Sequence, residues 1–438
     1  MNSMKTINIH RLPGLVLTDL EFQVPLDYNQ PEAERAGQIT VFARAVVSRE
    51  KEQANLPWLV FFQGGPGYPS PRPTGNDGWL KRALQDYRVL LLDDRGTGRS
   101  TPLTYQTLAQ QGSPEAQADY LKHFRADAII GDAEWIRREL IGEEGCWSVL
   151  GQSFGGFCVV HYLSSAPDHL KEALLTGGLP PLDRPVDDIY KATYRRVLDR
   201  NRRYYERYHD DGPLVQEIVK HLASREVRLP GGGRLTPRRF QQLGSAFGMS
   251  TGFEDVHYLL EEAFVEGSSG REISYTFLRG VENFQRFETN PIYALLHEAE
   301  YCQQEASNWS AERVRTGFPE FAITAGQPVS FTGEMIYSWM FDDYETLRPL
   351  KGAAELLAAY DRWPRLYDLP MLKKNTVPCA AVVYYDDMYV ERTYSEETAR
   401  TIKGLKVWVT SEYDHNGLRA DGERVVSRSL EMVRGEVG

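Results

Sequence analysis

Residues 147–156 read WSVLGQSFGG, and this stretch decides the fold. Its centre, Gly151-Gln152-Ser153-Phe154-Gly155, fits G-x-S-x-G, the nucleophile elbow, in which glycines permit a sharp strand-to-helix turn that lifts a serine hydroxyl to the edge of a sheet. The pattern is short and draws its weight from context. Here a buried strand, WSVL, precedes it, and residues 157–163 (FCVVHYL) begin a helix after it. Further out, residues 37–47 (GQITVFARAVV), 56–63 (LPWLVFFQ), 87–92 (YRVLLL) and 173–176 (ALLT) read as strands, several of them continuous apolar runs buried on both faces. Residues 126–140 carry Ile129, Ile130, Ala133, Ile136 and Leu140 at helical spacing. Strand and helix alternate, so a mostly parallel central sheet with helices on both faces is expected.

Past Pro180 and Pro181 the texture changes. Residues 187–222 are charged, rich in Tyr and Arg, and amphipathic at helical spacing, and helical character runs on to about residue 315, broken by turns at 231–233 and 267–270. Buried strands return at 377–385 (VPCAAVVYY) and 404–410 (GLKVWVT), and residues 424–433 form a closing helix. The expected organisation is an α/β core over 1–180, a large inserted helical cap over 181–370, and the rest of the core over 371–438.

Composition narrows the function classes. The chain has 438 residues, 42% hydrophobic and 25% charged, with a formal net charge of −11, which disfavours phosphate-neutralising contact with nucleic acid. Its apolar runs are far shorter than the roughly 18 residues of a membrane span. The start, with His10, Arg11 and Pro13, lacks an apolar leader, so a cytoplasmic location is expected. Cys146, Cys158, Cys302 and Cys379 show no metal-ligand spacing and read as buried small hydrophobes.

A serine nucleophile needs a base, and the base an orienting acid; in elbow enzymes the chain order is Ser, acid, His. Only His415 follows the last strand, in EYDHNG at 412–417, with His161 and His297 as weaker alternatives. The acid belongs after the strand 377–385, where Asp386 and Asp387 stand side by side; Asp387 fits the strand-then-D-x-x-V arrangement better, and Asp414 is a third candidate. Residues 64–67 (GGPG) follow a buried strand, so the N–H groups of Gly65 and of Phe154 are assigned to an oxyanion hole. The triad alone does not fix the acyl group, which leaves an esterase, an amidase or a di- or tripeptidyl aminopeptidase as the other reading.

With GGPG at 64–67, DDRGTGRS at 93–100, GQSFGG at 151–156, YYDDMYV at 384–390 and DHNG at 414–417, nearly the whole chain resembles the proline iminopeptidases, in particular the larger members with a long cap. One departure is Gln63, where smaller members carry His. The resemblance implies an α/β-hydrolase fold and a serine aminopeptidase that releases N-terminal proline from peptides with a free N-terminus, without metal or organic cofactor. It also implies cap carboxylates that hold the substrate amine. The segment HEAEY at 297–301 resembles the family's Glu-x-x-Tyr element and favours Glu298, with Glu254 and Glu334 next, in aromatic, glycine-containing settings. Tyr258, Tyr301, Trp339 and Phe341 are candidate walls for the proline ring.

Overall fold

Alternation within the apolar strands sends successive side chains to opposite faces of one sheet. Val60, Phe62, Leu90, Leu92 and Val149 join one core, while Leu59, Phe61, Val89, Leu91 and Leu150 join another. Both faces are therefore covered, which is why these strands read as unbroken apolar runs. The computed structural model describes residues 4–30, 37–268, 270–324 and 326–437. Its strands in chain order are β1 (Met4–Leu12), β2 (Leu15–Pro25), β3 (Gln38–Ser48), β4 (Trp58–Phe62), β5 (Arg88–Leu92), β6 (Trp147–Gln152), β7 (Leu170–Thr176), β8 (Phe264–Gly267), β9 (Gly270–Ile273), β10 (Cys379–Tyr384) and β11 (Leu405–Thr410). Nine of them form the central sheet in the order β1-β2-β3-β5-β4-β6-β7-β10-β11. The six from β5 to β11 pair in parallel, and β1, β2 and β3 add antiparallel partners at one edge.

Helices Ala126–Ile141 and Phe154–Ser165 cover the first face; Gly78–Ala83 and Gly422–Arg434 cover the second. Between β7 and β10 the chain leaves the sheet and builds the helical region, beginning with Val186–Arg207 and Asp211–Ser224. Tyr190, Tyr194, Val197 and Tyr204 of its first helix belong to the same buried cluster as Val60 and Phe157, so this region and the sheet share one core.

Three expectations need correction. The residues flanking the expected turn are strands, β8 and β9, which pair antiparallel with Gly267 opposite Gly270 inside the otherwise helical region. β11 is the edge strand and only part-buried, because it pairs with β10 alone. Cys146 is part-exposed, unlike the other three cysteines. Among the described residues no helix is long and apolar enough to cross a membrane.

The elbow is packed so closely that its glycines have no room for a side chain. A Cβ on Gly155 would stand 2.0 Å from the carbonyl oxygen of Phe62 in β4. Gly155→Ala must push β4 aside, and a loss of about 1–3 kcal/mol of unfolding free energy is expected from such overpacking. Urea titration of the two proteins measures it; coincident midpoints would contradict the packing described.

Candidate active site

The last strand residue before the elbow is Gln152 and the next helix starts at Phe154, leaving Ser153 alone to make the turn. Its φ of 55° and ψ of −125° lie where a side chain is rarely found. Two hydrogen bonds hold it there: Ser153 N–H donates to Thr176 O at 3.0 Å, and Gly156 N–H donates to Ser153 O at 2.7 Å. The GGPG loop presses on the same residue, since a Cβ on Gly64 would stand 2.9 Å from Ser153 Cβ. Gly65 is the next residue of that loop. Phe154 opens its helix, where backbone N–H groups have no intrahelical acceptor.

The loops after β10 and β11 bring Asp387 to His415. His415 Nδ1 lies 2.7 Å from Asp387 Oδ2, and both side chains are almost fully buried. The other oxygen, Oδ1, accepts the backbone N–H groups of Tyr389 at 2.9 Å and Val390 at 3.1 Å, which fixes the carboxylate. Tyr389 stands edge-on against the imidazole at 4.8 Å. A Cβ on Gly177, the residue after β7, would meet His415 Cε1 at 3.3 Å, and Ser153 bonds to Thr176 just before it. Asp386 points elsewhere: its Oδ2 accepts from Arg203 Nη1 at 2.8 Å. Asp414 pairs with Arg200. His161 Nδ1 lies at hydrogen-bond distance from the carbonyl oxygen of Leu366.

Burial pulls the imidazole of His415 down, but Asp387 and, further off, Glu334 outweigh it, so its pKa stands above the ordinary value. Glu334 is itself pushed up to about 7 by burial, against the hydrogen bond from the Tyr293 hydroxyl and the pull of His415. Glu300 is also buried; burial and the neighbouring charge of Glu334 hold its pKa well above the carboxylate range. Its Oε2 has no well-formed hydrogen bond among the described residues, and the Tyr301 hydroxyl favours the charged form too weakly to reverse the effect of burial. His297 lies 3.3 Å from the other oxygen of Glu300, stacks on Tyr293 at 4.9 Å, and is pushed down to about 4 by burial, which leaves it neutral and unable to balance either carboxylate.

The other two acids expected to bind an amine are occupied. Glu298 accepts from Ala311 N–H at 2.8 Å and Ser310 N–H at 3.2 Å, capping the helix Ser310–Arg315. Glu254 is held by Arg207 and, at 3.1 Å, by the Tyr208 hydroxyl at a part-exposed edge. Glu300, inside the same HEAEY segment, was not among the expected acids. Of the expected ring walls, Tyr301 packs on Phe157 of the elbow helix at 5.7 Å. Tyr258 is 59% exposed, Trp339 stacks on Tyr337, and Phe341 packs on Trp309. Among the described residues no group of three His, Cys, Asp or Glu side chains is placed to hold a metal ion.

A mostly parallel sheet carrying a serine on a strained strand-to-helix turn is the α/β-hydrolase fold, and a family profile described as alpha/beta hydrolase fold matches residues 57–259. The chain is 49% identical to a proline iminopeptidase of Aeromonas sobria over 94% of this chain and 95% of that one. It is 36% identical to proline iminopeptidase aneH of Aspergillus aculeatus over 95% and 94%. Among solved structures, the enol-lactonase from Burkholderia xenovorans LB400 aligns with a TM-score of 0.39 at 14% identity, covering 90% of this chain and 96% of that one. The chain belongs to the proline iminopeptidases.

A serine activated by His415 reacts only while that ring is neutral. The rate of reaction with a small fluorophosphonate should therefore fall on the acid side with a midpoint above about 6.5, the ordinary imidazole value. Glu334→Gln removes a negative charge that favours the imidazolium, so the midpoint should move to lower pH. An unmoved or rising midpoint would contradict the coupling.

Proposed function

We propose that the protein is a serine aminopeptidase that releases N-terminal proline from peptides through a prolyl-enzyme on Ser153. Ser153 Oγ attacks the carbonyl carbon of the first residue while His415 takes its proton. The N–H groups of Gly65 and Phe154 receive the negative charge that develops on the carbonyl oxygen. The bond to the next residue breaks, and its nitrogen leaves with the proton from His415. Water, deprotonated by His415, then cleaves the ester and frees proline. Asp387 keeps the ring in the tautomer and orientation both steps require.

One observation carries the exopeptidase reading. Glu300 Oε2 is buried with no well-formed hydrogen bond beyond the influence of the Tyr301 hydroxyl, within electrostatic reach of a second buried carboxylate, Glu334, which feels the charge of His415. Two adjacent buried carboxylates disfavour each other's ionisation, and a bound cation removes that penalty for both. The protonated N-terminal amine of a peptide is such a cation, and a chain interior has none. We assign Glu334 and Glu300 to that amine, in place of Glu298 and Glu254, whose oxygens are engaged elsewhere. Tyr293, whose hydroxyl donates to Glu334, and Tyr301 give the proline ring apolar surface. The residues between β7 and β10 thus act as a cap that selects by charge and ring shape.

Wild-type protein should hydrolyse a proline arylamide and leave its N-acylated counterpart intact, and Ser153→Ala should abolish turnover. Glu334→Gln and Glu300→Gln should each raise KM for the free-amine substrate by about 10- to 100-fold, the worth of a hydrogen bond to a charged group, and Glu254→Gln should leave it unchanged. Equal turnover of the blocked substrate, or an unaltered KM in both variants, would overturn the reading.

A further inference from the structure

The first cap helix, Val186–Arg207, sets Arg196, Arg200 and Arg203 at i, i+4 and i+7, on one face. That face lies against the two loops that carry the acid and the base. Arg196 Nε donates to Glu391 Oε1 at 3.0 Å; Glu391 in turn caps the helix Arg392–Thr401, just beyond the acid loop. Arg203 Nη1 donates to Asp386 Oδ2 at 2.8 Å. Arg200, between them, reaches both loops with one nitrogen: Nη2 donates to the carbonyl oxygen of Asp386 at 2.9 Å and to Asp414 Oδ1. Asp386 immediately precedes Asp387, and Asp414 immediately precedes His415. The Arg200 side chain is only 8% exposed and Asp414 24%, so these contacts are partly shielded from solvent and screened less by salt than surface pairs. Two further ties run the same way, from His415 N–H to Gly248 O at 3.0 Å and from the Tyr389 hydroxyl to Ser245 O.

We propose that Arg200 is a positioning residue that makes the seating of the cap a condition for alignment of His415 with Asp387. The inference rests on the triad reading above. β10 and β11 are neighbouring strands; the loops beyond them meet at the Asp387–His415 bond and at the Tyr389–His415 ring contact, and from outside Arg200, like residues 245–248, is tied to both. A guanidinium with several fixed donors suits this bridge, because it holds a carbonyl and a carboxylate at once in a fixed geometry. Without it the side-chain tie that holds both loops to the first cap helix is lost, only the bonds to Ser245 and Gly248 remain, and the imidazole's aim at Ser153 loosens. The cap that binds the amine then also sets the triad, so a chain with a displaced cap is a poor nucleophile as well as a poor binder.

The test compares wild type, Arg200→Ala, Arg200→Lys and Asp414→Asn in thermal unfolding, proline arylamide kinetics and the rate of reaction with a small fluorophosphonate, each per folded molecule. Arg200→Ala should lower kcat and the labelling rate together by about 10- to 100-fold, the cost of a misaligned reacting group, with KM changed less than about threefold. Arg200→Lys should recover part of the loss. Asp414→Asn, at a part-exposed position, provides the readout should Arg200→Ala fail to fold, and should lower the same two rates in the same direction. The proposal is overturned if the variants label and turn over at the wild-type rate per folded molecule and differ only in melting temperature, or if the loss falls in KM alone. Absence of both labelling and turnover in the wild type would instead contradict the serine reading itself.

Discussion

The hydrogen bond between Asp387 Oδ2 and His415 Nδ1, 2.7 Å long and closed off from water, depends on the largest number of other features. It joins the ends of two strands that the chain makes last, while Ser153 stands just past β6, far earlier in the sequence. That bond forms only if β10 adds in parallel beside β7 and β11 beside β10. The insertion between β7 and β10 must therefore leave the sheet and return to it within one strand spacing. The N–H groups of Tyr389 and Val390 on Asp387 Oδ1 then hold the carboxylate oriented in a place where an unpartnered polar group would be costly.

The region above the sheet places a second kind of electrostatic demand on the molecule. Glu300 and Glu334 are drawn into a low-dielectric setting where each opposes the other's charge, and neutral His297 does not relieve them. Such an arrangement destabilises the empty protein and favours a state with a cation in place, the direction a binding site for an N-terminal amine requires. Asp387 and Glu334 both act on His415 in the same sense, so the amine recognition proposed for Glu334 would be electrostatically linked to base strength. The arginines of the first cap helix add a mechanical link between the same two regions.

Much of this was legible in the sequence because it follows from strong local signals. Doubly buried strands read as unbroken apolar runs, the elbow stands between one of them and a helix, and His415 is the one histidine beyond the last strand. Where the signal was weak, the cause is physical. β1 lies at the sheet edge with every side chain exposed or part-exposed, so no apolar alternation marks it, and β11 is at the opposite edge. Asp386 and Asp387 are adjacent in a loop, and only the contact from Arg203 on a remote helix turns the first away. Glu298 and Glu300 lie in one 3-10 turn. With about three residues per turn, positions two apart face well-separated directions. One caps a helix and the other is buried beside Glu334, a distinction no linear motif contains.

The central claim is that Ser153 carries the acyl group of a substrate whose free amine is held by the cap. It is tested most directly by rapid acid quench during turnover of a proline ester, followed by mass analysis of the peptides. The account requires a burst of alcohol approaching one equivalent per chain and a prolyl increment on the peptide that contains Ser153. An increment on any other residue, or steady turnover with no acylated peptide and no burst in the Glu334→Gln variant or the wild type, would contradict it.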